Sequence, residues 1–338
     1  MEHMKLTNHA KRVFINMLRM GAGVILAVGI ARKIGLSNSY SAGTIALLTL
    51  LTTKRESLRQ SLWRIVTFFI TAAVTFLAEQ VIPYPIITFG ITVMLLYLFC
   101  EKLDIMPLLA VNGVICAHLV TVGSFSCQLL LDEFLMVLTG MGSALICGQI
   151  YSGKIARSQL RRRMLRDDRT LADWLRDLAA ALERRDHDLP DLHDYEKQLK
   201  EDRGLAVEYT ENSWASHADY FAEYFEMRLR QAGVLKNLEW ELSSYHVPPA
   251  QTRMIADFIR TLSRHVCETN EPAAQETQLQ ALLNSLRQER LPQNRTEFEH
   301  RAILYHILMT IREFIQLKRQ FVDGLSERQK EAYWKRNS

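Results

Sequence analysis

The stretch GMGSALICGQIYSGKIARSQLRRR, residues 140–163, is where this chain changes solvent. It carries no charge before Lys154, and then Lys154, Arg157, Arg161, Arg162 and Arg163 in close succession. Upstream of Tyr151, apolar blocks follow one another with few charges between them. A helix of about 20 such residues rises about 30 Å and matches the hydrocarbon thickness of a bilayer. Downstream, the chain is too polar to span anything. The break predicts an all-α protein: a six-span transmembrane helical domain over residues 1–152, then a cytosolic antiparallel helical bundle over residues 153–338.

A length of 338 residues suits two domains. Residues 1–153 hold eleven bases against seven acids, so the chain's net charge of +4 resides there. The remainder is balanced and intermixed. A nucleic-acid surface needs a one-sided basic excess, so nucleic acid is not an expected partner. The five cysteines (Cys100, Cys116, Cys127, Cys147 and Cys267) form no CxxC pair and support neither a disulfide framework nor a metal site. The first apolar block reads as a first span, not as a cleavable leader.

Spans are expected near 13–31, 38–53, 61–81, 83–99, 105–123 and 130–151. Their orientation follows from lysine and arginine in short loops. Lys5, Lys11 and Arg12, then Lys54, Arg55 and Arg59, then Lys102, then Lys154, Arg157 and Arg161 fall on one side. Only Arg32 and Lys33 fall on the other. Both termini are therefore expected in the cytoplasm of a multi-pass inner-membrane protein. Asn294-Arg295-Thr296, a glycosylation-type triplet, has no meaning in a cytosolic tail.

The last span is expected to run on as a long helix. Leu160, Met164, Leu165, Leu171, Trp174, Leu175, Leu178 and Leu182 recur on it at helical spacing. Pro190, Pro248-Pro249, Pro272 and Pro292 punctuate the rest into helices near 192–203, 211–245, 249–268, 272–289 and 295–323. The last of these presents Phe298, Ile303, Ile307, Leu308, Ile311, Phe314 and Ile315 on one face. Trp214, Tyr220, Phe221, Tyr224 and Phe225 form an aromatic cluster that reads better as bundle core than as a ligand platform.

Motifs for chemistry are missing. Gly153-Lys154-Ile155 has neither the spacing nor the hydroxyl of a phosphate loop, and no nucleotide-binding block follows His265. HExxH, GxSxG and clustered metal ligands do not occur. The expectation is a protein that is not an enzyme and has no cofactor.

Ionisable and polar groups at membrane depth are costly, which makes them the candidate functional residues. Arg19, two turns into the first span, and Arg64, in the third, either face a cavity and attract an anion or snorkel to the headgroups. Glu79 and His118 are candidates for carrying a proton; the alternatives are an interfacial carboxylate and a satisfied histidine. Asp104, Asp132 and Glu133 read as solvated span ends. Pro107 and Asn112-Gly113 suggest a broken fifth span lining a cavity. Thr44, with Ser39, Ser41, Thr49 and Thr52, makes the second span hydroxyl-rich, for a polar route or for close packing.

Arg19-Met20-Gly21-Ala22-Gly23 and Ser39-Tyr40-Ser41-Ala42-Gly43-Thr44-Ile45-Ala46 are followed by Thr53-Lys54-Arg55-Glu56-Ser57-Leu58 and Ser61-Leu62-Trp63-Arg64-Ile65. This series resembles the bacterial aromatic acid exporter family, within the fusaric-acid-resistance-like superfamily. The region from about Arg161 resembles the helical C-terminal domain of its single-repeat members. Plant malate channels look like distant cousins with the same plan. The resemblance implies export of organic, including aromatic, carboxylate anions, by a six-span unit that pairs as a homodimer. It defines no catalytic residues. The rival expectation is a membrane-anchored sensor or scaffold presenting the bundle; a role in lipid or envelope assembly is the third.

Overall fold

The computed structural model describes residues 2–123, 125–149, 153–183, 189–215, 217–243 and 252–335. Among them every regular element is helical. The chain divides into two compact units, Met1–Ser152 and Gly153–Ser338.

The first unit contains α1 (Glu2–Ile34), α2 (Ser39–Leu50), α3 (Lys54–Val81), α4 (Pro85–Lys102), a 3-10 turn (Met106–Leu108), α5 (Leu109–Val122) and α6 (Cys127–Gly148). Local chemistry sets several boundaries. Gly35, at φ +88, ends α1 with Leu36 N donating to Ala31 O and Gly35 N to Arg32 O, each at 3.0 Å. Pro85 opens α4, where its missing N–H costs nothing. Gly123, at φ +63, closes α5, and Ser126 Oγ caps α6 by accepting from Leu129 N at 3.1 Å.

Four helical segments are long and apolar enough to cross a membrane: Val13–Ile34, Lys54–Val81, Pro85–Lys102 and Cys127–Gly148. Ser39–Leu50 and Met106–Val122 are apolar but shorter. The 12 residues of α2 rise only about 18 Å, well short of a bilayer's ~30 Å hydrocarbon. The six expected spans thus correspond to four long apolar helices and two short ones. The fifth span is not broken where expected. Pro107 lies exposed in the 3-10 turn ahead of α5, while Asn112 and Gly113 sit inside uninterrupted helix. The proline has no preceding helical turn to disrupt there, so it marks an entry instead of a kink.

Helices α1, α2 and α6 pack together, as do α3, α4 and α5; α3 also packs on α6. Small residues bring the first group close. A Cβ added at Gly140 would lie 2.6 Å from Ala42 O and 2.8 Å from Ile45 Cβ, and one at Gly43 would lie 2.7 Å from Val28. Large apolar side chains such as Ile25, Leu62, Phe69, Val81 and Ile86 point outward, as a lipid solvent requires.

The second unit contains α7 (Gly153–Glu183), α8 (His193–Glu211), α9 (Tyr220–Ser243), α10 (Thr252–Arg264), α11 (Ala273–Arg287), α12 (Arg295–Gly324) and α13 (Glu327–Tyr333). Continuity between α6 and α7 falls on residues 150–152, outside the described residues. The expected break after residue 203 is at Asn212, whose Nδ2 donates to Glu208 O at 2.9 Å. Such local side-chain bonding competes with the helix ladder. α13 was not expected; Ser326 and Gln329 form its capping box.

Tyr220, Phe221, Tyr224 and Phe225 are buried core, whereas Trp214 is 58% exposed. Leu165 and Phe298, assigned to apolar faces by spacing, are also exposed. Tyr333 of α13 stacks on Tyr220, with ring centroids 4.2 Å apart. Beneath this aromatic layer lies a buried polar network. Asp168 accepts from Arg228 Nη2 at 2.5 Å and from Tyr224 Oη, and Arg228 Nη1 donates to Gln231 Oε1 at 2.7 Å. Lys318 Nζ donates to Glu268 O at 2.7 Å and Cys267 O at 3.3 Å. Burial, reinforced by the charge of Arg228, pushes the Lys318 amine down to about 7.

Candidate functional site

The polar groups of the first unit collect at the two ends of α2 and along one face of α3. Side chains from neighbouring helices meet both ends of this short helix, where backbone groups lack partners within the helix itself.

The C-terminal end of α2 carries partial negative charge, and two guanidinium groups meet it, one at a carbonyl and one at a hydroxyl. Arg19 Nη2 donates to Leu50 O at 3.1 Å. Arg64 Nη1 donates to Thr49 Oγ1, which itself donates to Ile45 O at 2.7 Å. Arg64 is only 2% exposed, so it does not snorkel outward from the chain. It has no carboxylate partner among the described residues, and its buried Nε has no hydrogen-bond partner there. Next to this pair, Lys54 Nζ reaches Gln149 Oε1 at 3.4 Å. This end of the unit is a cationic, donor-rich locus in which Arg64 is buried and Arg19 and Lys54 are half-buried.

At the N-terminal end of α2 the charge is reversed. Glu133, on α6, is 3% exposed, and its Oε2 and Oε1 lie 3.0 and 3.1 Å from His118 Nδ1. His118 Nε2 lies 3.3 Å from Ser41 Oγ, and Asn38 Nδ2 donates to Glu133 Oε1 at 3.5 Å. A carboxylate near a helix N-terminus is favoured by the dipole. Glu133 is therefore not a solvated span end: α6 begins six residues earlier, and the packing of α6 on α1 and α2 turns this face inward. Its position was readable. Glu133, Met136, Val137 and Gly140 share one helical face, and all four are buried.

The α3 face is the third component, and residue-by-residue reading missed it. Ser57, Gln60, Ser61, Arg64, Thr67, Thr71 and Thr75 share one helical face and are all buried, while Leu58, Leu62, Val66 and Phe69 face out. A membrane helix with its polar stripe inward is the reverse of a soluble one. Phe68 is buried on the same face, one turn beyond Arg64, with Phe134 of α6 at 5.3 Å between ring centroids.

The other expected residues separate. Glu79 is half-buried near the end of α3, away from both ends of α2. Thr44 lies on the exposed face of α2, away from Thr49. Asn112 is fully buried on α5, and its Nδ2 has no hydrogen-bond partner among the described residues. No cluster of three potential metal ligands occurs among the described residues.

Comparison with known proteins adds three findings. Residues 11–150 match the profile described as "Aromatic acid exporter family member 1". Residues 158–319 match that described as "Putative aromatic acid exporter C-terminal domain". The uncharacterized protein YqjA of Bacillus subtilis (strain 168) is 24% identical over 313 residues, which is 90% of this chain and 94% of that protein.

Proposed function

The chain belongs to the aromatic acid exporter family, and from that premise we propose that it exports small organic carboxylate anions, aromatic ones included, across the inner membrane. Its membership makes it a membrane transporter in general terms; the substrate class, direction and topology are the proposal.

The observation that carries the reading is Arg64. A guanidinium buried at membrane depth is normally neutralised by a carboxylate, yet this one has a threonine hydroxyl and an unused Nε–H. Such a charge attracts an anion more strongly than it would in water, because the surrounding dielectric is low. A carboxylate takes two parallel N–H donors from a guanidinium with good geometry. Phe68, one turn along the same face, offers an edge or face to the ring of an aromatic acid. Arg19 caps α2 beside it and adds to the local positive potential.

In this reading the Arg64 end of α2 faces the cytoplasm, as the lysine and arginine bias of the short loops suggests, with both termini inside and a homodimer as the working unit. His118, held by Glu133, is the proton-carrying candidate at the opposite end; Glu79 is the lesser one. Asn112 lies along the path, whereas Pro107 and Thr44 contribute less. A polar stripe turned inward along α3 also argues against a mere anchor for the bundle, which would need no hydrophilic interior.

The test is efflux of radiolabelled benzoate from proteoliposomes holding the wild type, Arg64→Gln or Arg64→Lys. Arg64→Gln should lose at least tenfold in rate, and Arg64→Lys should retain part of it, being a point charge without the fork. Absence of carboxylate flux from the wild type would overturn the reading.

A further inference from the structure

A cavity lies inside the second unit, between α9, α10 and α12. Leu262, Val266, Phe314 and Ile315 give it apolar walls, and Arg228 and Lys318 line it as well. Arg228 is 2% exposed and Lys318 4%. The space is about 20 Å³, room for a group of about one or two polar heavy atoms. His265 and Cys267, both exposed, also line it, so it reaches the surface on their side.

The charges around this cavity already cancel in pairs. Arg228 Nη2 donates to Asp168 at 2.5 Å, and Tyr224 Oη donates to the same carboxylate. Arg161 of α7 lies 3.6 Å from the Glu268 carboxylate, which accepts from Tyr220 Oη at 3.0 Å. Lys318 is the group left over. Its Nζ donates to Glu268 O at 2.7 Å and to Cys267 O at 3.3 Å, while the rings of Tyr224 and Phe321 stand 5.8 and 5.2 Å away. Two carbonyls satisfy both N–H groups of a neutral amine, whereas an ammonium has three donors and keeps one for another acceptor. Burial and the charge of Arg228 push this amine down to about 7, so it gains or loses a proton near neutral pH.

A proton arriving alone would leave a buried ammonium uncompensated, and an anion arriving alone would leave a buried charge of the other sign. Arriving together, they cancel. We propose that this cavity binds a small monocarboxylate together with one proton, the carboxylate accepting the third N–H of Lys318. The acid is already ionised in neutral solution, so the proton comes from solvent and goes to the Lys318 lone pair. Arg228 adds a positive potential beside it, and the apolar walls lower the dielectric in which the new ion pair sits. The size of the cavity admits a carboxylate head, with a short tail directed toward His265 and Cys267. Every group belongs to the second unit, so the site stands or falls separately from the export reading.

Radiolabelled acetate, added to the detergent-solubilised full chain, tests the site. Binding should saturate, and affinity should fall about tenfold per pH unit between pH 8 and 9, since one proton is taken up with each anion. Arg64→Gln, altered only in the first unit, should keep both features. Lys318→Met should weaken binding at least tenfold. Val266→Phe, which fills the cavity from one wall and leaves Lys318 and Arg228 in place, should do the same. Absence of saturable binding to the wild type would overturn the site, as would an affinity that stays level from pH 8 to 9. So would wild-type affinity in either second-unit variant, or loss of binding in Arg64→Gln. If Lys318→Met fails to fold, Val266→Phe decides; if both fail, the pH slope of the wild type does. Acetate binding of this kind in a wild type that moves no benzoate would support the site and fell the export reading alone.

Discussion

The carboxylate of Glu133 lies 3.0 Å from Nδ1 of His118, and the pair closes over the N-terminal end of α2 from two neighbouring helices. At the other end of the same helix stand Arg19 and Arg64. A helix shorter than the hydrocarbon thickness of a bilayer is thus bracketed by an acid at its positive pole and two cations at its negative pole. The arrangement turns a helix that the bilayer would penalise into the organising element of the unit.

This pairing predicts energetic coupling. His118→Ala, Glu133→Ala and the double variant, measured by thermal or denaturant unfolding in detergent, should show a coupling energy of about 1 kcal/mol or more, within the range known for contacting polar pairs. Additive effects of the two substitutions would mean that the contact contributes nothing to stability.

The close approach of α6 to α2 predicts a steric result. Gly140→Ala places a methyl 2.6 Å from Ala42 O and 2.8 Å from Ile45 Cβ, both on α2 and neither free to retreat. It should destabilise by about 1–3 kcal/mol, the usual cost of overpacking. Gly21, whose added Cβ would meet nothing within 4 Å, supplies the control: Gly21→Ala should be neutral or mildly stabilising. Equal behaviour of the two would contradict the packing of α6 on α2.

Lys318 predicts a pH dependence confined to the second unit. Its amine is pushed down to about 7 in the folded protein, from 10.5 when solvated. Between these values the unfolded chain holds the proton and the folded one does not, so stability must rise with pH across that window and level off above it. Lys318→Met removes the titration. Unfolding followed by tryptophan fluorescence at pH 6.5, 8 and 9.5 should show a rise in the wild type that the variant lacks. Parallel curves would assign the dependence to other groups.

Much of this was legible in the sequence, and the failures have physical reasons. Arg64 and His118 were legible as candidates because ionisable residues inside apolar blocks are costly. Asn112 was expected at a break in the fifth span; it sits in unbroken helix, where its buried amide nitrogen has no hydrogen-bond partner among the described residues. Glu133 was passed over because a carboxylate near the start of a span is usually solvated. Only its register with Met136, Val137 and Gly140 set it inward. The threonine stripe of α3 was written at regular three- and four-residue intervals, but isolated threonines in a span invite no notice, since each can donate to its own helix. In the tail, spacing identified most of the core. It misplaced Leu165 and Phe298, because helical periodicity marks a face without saying whether another helix covers it.

Composition and charge order alone determined that the front of the chain dissolves in hydrocarbon and the rear folds as a helical bundle, because transfer of apolar surface and the demand for internally bonded backbone are local properties of each segment. What the tertiary structure decided is which polar atoms meet. The placing of Glu133 against His118, the burial of the Arg64 guanidinium against Thr49 and the inward turn of the polar face of α3 all depend on how helices distant in sequence turn toward one another. That rotation is set by the close packing of small residues such as Gly43 and Gly140, a relation between segments that no single segment carries.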